Sequence, residues 1–335
     1  SGWRKSGGIM VSDDLGSQAV RYSFDPSGKN FDARQVVLNA FLAGNDLLYM
    51  DRILATNDPN TYTTIRNILD FFVQKYREDS AFADRVDVSV ARILALKYRI
   101  YPTFDIDMVK PNPHDISGIG KNERISFEVA AKSITLLSPD KRDLANSIPQ
   151  PPNTRSNMVF FTDQLEFTQC SQCKKQTILS VDEFQQTIVK LYGPDAGGLV
   201  NPNRLYSYSL KDLNDYLDSP LNHLDMDSNI NKADWIIFAL RSLDSQQPTS
   251  SVLHRLISER PQLMRDKKVI AFAFNTPYRL DATDISNLTA YYGVYSKTNS
   301  FVEIAARVIF QEVHPQDASP VSVPGIAYDL NLVTS

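Results

Sequence analysis

Apolar positions along this 335-residue chain take two recurring forms. Short aliphatic runs stop at turn residues, and longer segments repeat apolar residues every three or four positions. The first form reads as buried strands and the second as amphipathic helices. Ile9-Met10-Val11 is a run of the first kind, closed by Asp13, Asp14 and Gly16. Side chains alternate along a strand, so the two acids at its exit point in opposite directions and at most one faces a shared cavity. Val37, Ala40, Phe41 and Gly44 then lie on one helical face, and Gly44-Asn45 supplies a stop. Residues 46–50 read as a second strand. Ile65, Ile68, Leu69, Phe72 and Tyr76 mark a second helix. A third runs from Ser80, as N-cap, through Val86, Val90, Ile93 and Leu94 to Lys97. Residues 1–101 therefore read β-α-β-α-α.

The period dissolves between residues 102 and 123, where three prolines and two glycines mark a linker. From residue 124 a short helix runs into a strand near 134–138. Further strands are expected at 158–162, 204–209, 234–240, 268–274 and 288–295, separated by helical segments. Strands alternating with helices predict an α/β fold whose mainly parallel sheet is covered on both faces.

Composition removes several function classes. Hydrophobic residues make up 42% and charged residues 22%, with a net charge of -4 and no long run of either sign. A phosphate backbone asks for a basic stripe, so nucleic acid is not expected as a main partner. No window approaches 18 consecutive apolar residues, so no membrane span is expected. Cys170 and Cys173 have no second cysteine pair to complete a structural zinc site, and read as a loop pair, reduced or disulfide-linked. His114, His223, His254 and His314 are far apart and lack metal-ligand spacing, so each reads as a surface or capping residue. No nucleophile elbow, dinucleotide fingerprint or phosphate-binding loop occurs. Asp13 and Asp14 remain. On composition alone either could simply cap the turn that follows. Acids at the carboxyl ends of strands are also the usual catalysts of barrel enzymes.

Five stretches, in order, resemble the family-3 glycoside hydrolases, the β-N-acetylhexosaminidase and β-glucosidase group. They are "GGIMVSDDLG", "ARQVVLNAFLAGNDLLYM", "VDVSVARILALKYRI", "FEVAAKSITLLS" and the segment from "VIAFAFNTPYRL" to "SPVSVPG". The resemblance implies a partial (β/α)8 barrel, its last βα units, at 1–101, a linker at 102–123, and a flavodoxin-like α/β sandwich domain at 124–335. It implies that Asp13, directly after Ser12, is the nucleophile, and that Asp14 lies on the other side of the strand, binding backbone or a neighbouring strand. The implied activity is retaining hydrolysis of terminal β-linked N-acetylhexosamine residues by double displacement, on a β-linked saccharide, with no cofactor and no metal. The S-D-D-L form is closer to the hexosaminidases, although Gly16-Ser17 replaces their usual Ser-Met. A whole barrel takes about 250 residues, and only two strands fit before Tyr101. The chain is therefore expected to be an incomplete catalytic unit, its acid/base lying in a missing N-terminal barrel segment. Two alternatives stay open: a β-glucosidase-type member whose second domain supplies the acid, and a non-catalytic α/β carbohydrate-binding or scaffolding protein.

Overall fold

Capping side chains set where the helices of the N-terminal residues begin. Asp32 accepts from the backbone N–H groups of Arg34 and Gln35, Asn60 from Thr63, and Asp79 from Phe82. In this computed structural model, residues 2–101, 103, 105–110, 112–167, 174–241, 251–323 and 325–326 are described. The chain divides into two compact units, Ser1–Ser117 and Gly118–Ser335.

The first unit contains α1 (Gly2–Lys5), α2 (Gln18–Phe24), α3 (Ala33–Leu42), α4 (Thr61–Glu78) and α5 (Ser80–Ile100). Two short helices follow, α6 (Ile106–Val109) and α7 (Pro113–Ile116), where the sequence shows no period. The cap of α5 is Asp79, one residue before the expected Ser80, because a carboxylate there reaches the Phe82 N–H. Leu15, Phe31, Val36, Val37, Ile53 and Ile68 form one core. Phe41, Phe72 and Phe82 form a second, with ring centroids 5.1 to 5.6 Å apart. The two expected strands are barely strands. Residues 9–11 and 46–50 meet in a single parallel bridge, Val11 to Leu47. Nor are they buried as expected: Val11 is 56% exposed and Tyr49 53%. Buried strands need sheet neighbours and a covering layer, and the described residues of this unit supply neither.

The second unit has the expected α/β character. It contains α8 (Glu123–Ser133), β1 (Thr135–Ser138), α9 (Lys141–Ser147), β2 (Met158–Thr162), β3 (Leu165–Phe167), β4 (Gln176–Ile178) and α10 (Glu183–Tyr192). Then come β5 (Leu205–Ser209), α11 (Leu210–Asp218), α12 (Leu224–Lys232), β6 (Trp235–Leu240), α13 (Val252–Glu259), β7 (Lys268–Ala273), α14 (Ala282–Ser286), β8 (Ala290–Gly293) and α15 (Asn299–Ile309). One six-stranded sheet runs β1-β8-β7-β6-β2-β5, parallel throughout except for β1, which pairs antiparallel with β8 at the edge. Every residue of β2 and β6 is buried. Alternation divides them between two cores: Phe160 and Ile237 face one side, Phe161 and Phe238 the other. β3 and β4 form a separate antiparallel hairpin. Cys170 and Cys173 lie outside the described residues. No helix among the described residues is long and apolar enough to cross a membrane.

Candidate active site

The turn that follows Val11 is held at almost every point. Leu15 is buried in the core of the first unit, and its N–H donates to the Tyr49 carbonyl at 3.0 Å. Asp14 Oδ1 accepts from the N–H of Gly16 at 2.8 Å and from that of Asp51 at 3.0 Å, tying the exits of the two strand segments together. Position 16 must be glycine for reasons of space, since a Cβ there would lie 2.0 Å from the Asp51 carbonyl oxygen. Asp14 thus has the backbone-binding place expected of it.

Asp13 is different. Its side chain is exposed, and among the described residues its carboxylate takes one hydrogen bond, 2.8 Å from the Asp14 N–H. That leaves one carboxylate oxygen open on a backbone fixed on both sides. A nucleophile needs such an arrangement, ionised and held in place. Among the described residues no His, Glu or second Asp side chain hydrogen-bonds to it.

At the opposite end of the second segment sits Asp46, a residue that sequence reading did not single out. Its side chain is fully buried, yet three arginines reach it: Arg4 at 2.9 Å, Arg85 at 3.2 Å and Arg92 at 3.2 Å. Ser89 donates to it at 2.7 Å and the Met10 N–H at 3.0 Å. Burial pushes its pKa up, but the Met10, Ser89 and Arg92 hydrogen bonds and the Arg4 charge outweigh this and bring it down to about 2. Asp46 joins α1, both strand segments and α5 in one polar knot, and so holds the frame that presents Asp13.

No family model matches the sequence, and no curated protein matches it. Solved structures do. The chain is similar over 97% of its length to a fungal multi-domain family-3 β-N-acetylglucosaminidase that carries a GCN5-related glucosamine N-acetyltransferase region, with 17% identity and a TM-score of 0.57. It is similar over 96% to a family-3 β-N-acetylglucosaminidase from Paenibacillus sp. str. FPU-7, with 16% identity and a TM-score of 0.56. A β-glucoside phosphorylase matches over 97%, with 17% identity and a TM-score of 0.52. The chain shares the fold of the matching part of these enzymes. It spans 32%, 52% and 50% of those three chains, respectively.

The second unit holds two further polar clusters. Between β2 and β6 the strand order reverses, the usual place for a ligand crevice in a doubly wound sheet. There Asp163 is buried and paired with Arg241 at 3.3 Å and, closely, with Arg279. Its own side chains occupy that place. The second cluster joins His254 on α13 to Asp284 on α14, Nδ1 to Oδ1 at 2.8 Å, with Asp281 beside them. Asp281 is also the N-cap of α14, accepting from the Asp284 N–H, and Asp284 is the acid of its first turn. The three side chains bring a potential ligand atom each to within 4.8 Å of one another. His254 is at the surface, as its sequence context suggests, and also pairs with Asp284.

The Asp284 hydrogen bond and charge raise the His254 pKa above its usual 6.5. A group raised on folding stabilises the fold fully below its unfolded pKa and loses that contribution as pH rises through its folded pKa. A proton NMR titration should find His254 titrating above 6.5, and Asp284→Asn should return it to the ordinary value. A His254 that titrates identically in both proteins would remove the pair.

Proposed function

We propose that this chain is the end of a family-3 catalytic barrel with its following α/β domain, from a retaining β-N-acetylhexosaminidase whose nucleophile is Asp13. The observation that carries the reading is the contrast within one turn. Asp14, Leu15 and Gly16 are fully committed to holding it, while Asp13 presents an open carboxylate oxygen. The likeness of fold to family-3 enzymes supports it. So do the exposed apolar side chains of Met10, Val11, Leu47 and Tyr49, which suit further barrel strands and covering helices in the whole protein.

In the reaction proposed, an Asp13 oxygen bonds to the anomeric carbon as the bond to the leaving oxygen breaks. An acid from elsewhere in the full barrel protonates that oxygen. Water then attacks the same carbon, the ester bond to Asp13 breaks, and the carboxylate is regenerated. Two inversions at one carbon give retention. The S-D-D-L form of the turn favours an N-acetylhexosaminide over a glucoside.

The test is product stereochemistry from the full-length protein, followed by proton NMR. An aryl β-N-acetylglucosaminide should release the β-anomer first and turn over faster than the matching β-glucoside. The 335-residue chain alone should give no significant hydrolysis, because the reading places the acid elsewhere in the full barrel and general acid catalysis contributes about 10²- to 10⁴-fold. An α-anomer as first product would contradict the mechanism, and preference for the glucoside would replace the substrate class. Rapid hydrolysis by the chain alone would place the acid within it.

A further inference from the structure

We propose that the apolar cavity between α9, the sheet and the end of α15 binds a small carboxylic acid carrying an oxygen at the far end of an apolar body. The cavity measures about 320 Å³ and is walled by Leu136, Leu144, Ile270 and Val308. Well-packed interiors leave few voids larger than a water, and ligand pockets begin at roughly 300 Å³. At about 30 Å³ of liquid volume per water-sized group, this space takes on the order of ten heavy atoms.

Of its five polar lining residues, Lys141, Tyr292, Gln311, His314 and Gln316, the first two define what those atoms should be. Tyr292 lines the cavity from β8, in the sheet that forms its floor, and is only 3% exposed. Its ring stacks on Phe272, with centroids 5.1 Å apart, so the ring is held in place. Among the described residues its hydroxyl has no hydrogen-bond partner, and burial alone pushes its pKa up. A ligand oxygen in the cavity would accept a hydrogen bond from it. Lys141, on the exposed start of α9, lines the same cavity. Its ammonium donates only to the neutral Gln316 side chain, at 3.3 Å, and no carboxylate pairs with it among the described residues. A lysine, apolar walls and a tyrosine hydroxyl lining one cavity match a carboxylate, an alkyl or aryl body and a terminal oxygen. This site lies wholly within the second unit and does not depend on the role of Asp13.

Isothermal titration of the chain with octanoate and 8-hydroxyoctanoate tests the assignment. Both should bind, the hydroxy acid about 2- to 10-fold more tightly, the range expected for one net hydrogen bond. Tyr292→Phe keeps the ring and should erase that difference while leaving octanoate affinity in place. Lys141→Ala should weaken both acids by up to about 5-fold, as for an exposed charge pair. Leu144→Trp, which fills the cavity, should abolish both, with a thermal melt reporting whether the variant is folded. Absence of binding by either acid would overturn the proposal. An unchanged preference for the hydroxy acid in Tyr292→Phe would do the same, as would undiminished binding by folded Leu144→Trp.

Discussion

Replacing Asp46 by Asn should loosen the first unit more than any other single change at a polar residue. Asparagine keeps the size of the side chain but leaves Arg4, Arg85 and Arg92 facing a neutral group. Removing one member of a buried ion pair costs about 3–5 kcal/mol. These arginines keep about a quarter of their side chains exposed, so water offsets part of the loss and about 3 kcal/mol is the better expectation. The native protein should show the same interaction through pH. The Asp46 pKa falls from 3.8 to about 2 on folding. A depressed carboxylate contributes stability that is present above its unfolded pKa and lost as pH falls through its folded one. The shift corresponds to about 2 kcal/mol, at 1.36 kcal/mol per unit, and it should vanish between pH 4 and pH 2. Hydrogen exchange of the α5 amides in the intact chain reads both effects. Exchange should speed up by about two orders of magnitude in Asp46→Asn at neutral pH, and the difference between the two proteins should shrink in acid. Unchanged exchange would mean that the arginines are held by something other than Asp46.

Asp13→Asn should do the reverse, sparing the fold and removing the chemistry. Its carboxylate takes a single hydrogen bond, from its neighbour's backbone, which an amide oxygen accepts equally well. Stability should therefore change by less than about 0.5 kcal/mol, as for most surface substitutions. Turnover by the full-length enzyme should fall by several orders of magnitude, because a neutral amide cannot form the glycosyl ester. Asp14→Asn inverts that pattern. Asp14 joins Gly16 to Asp51 through two backbone hydrogen bonds, and its loss should lower the melting temperature more than the rate. Denaturant melts and steady-state kinetics on the two variants separate the roles. Equal loss of rate and stability in both would reduce the pair to one structural cap.

The sheet of the second unit was legible because its central strands are buried on both faces. Residues 158–162 and 235–240 are apolar almost without interruption, and burial on two sides is what such runs require. The same signature at residues 9–11 and 46–50 reported the surroundings these segments are suited to, and not those present here, where Val11 and Tyr49 face solvent. Helices α2 and α9 bury no residue, so no apolar period could announce them. The acids at residues 13 and 14 stood out by position at the end of a run. Asp46 did not, because its partners Arg4, Arg85 and Arg92 lie about 40 residues away along the chain. One signal was available: Arg85, Ser89 and Arg92 recur at i, i+4 and i+7, a polar stripe on a helix otherwise read by its apolar face. The His254 and Asp284 pair is 30 residues apart and had no such pattern.

The central claim is that Asp13 becomes covalently attached to sugar. The direct measurement is to treat the full-length protein with a slow-releasing glycosyl donor, such as a fluorinated N-acetylglucosaminyl fluoride, and to map the labelled peptide by mass spectrometry. The label should sit on Asp13, block turnover while it remains, and be absent from Asp13→Asn. Label on any other carboxylate, or full turnover by Asp13→Asn, would leave Asp13 as a turn residue and contradict the account.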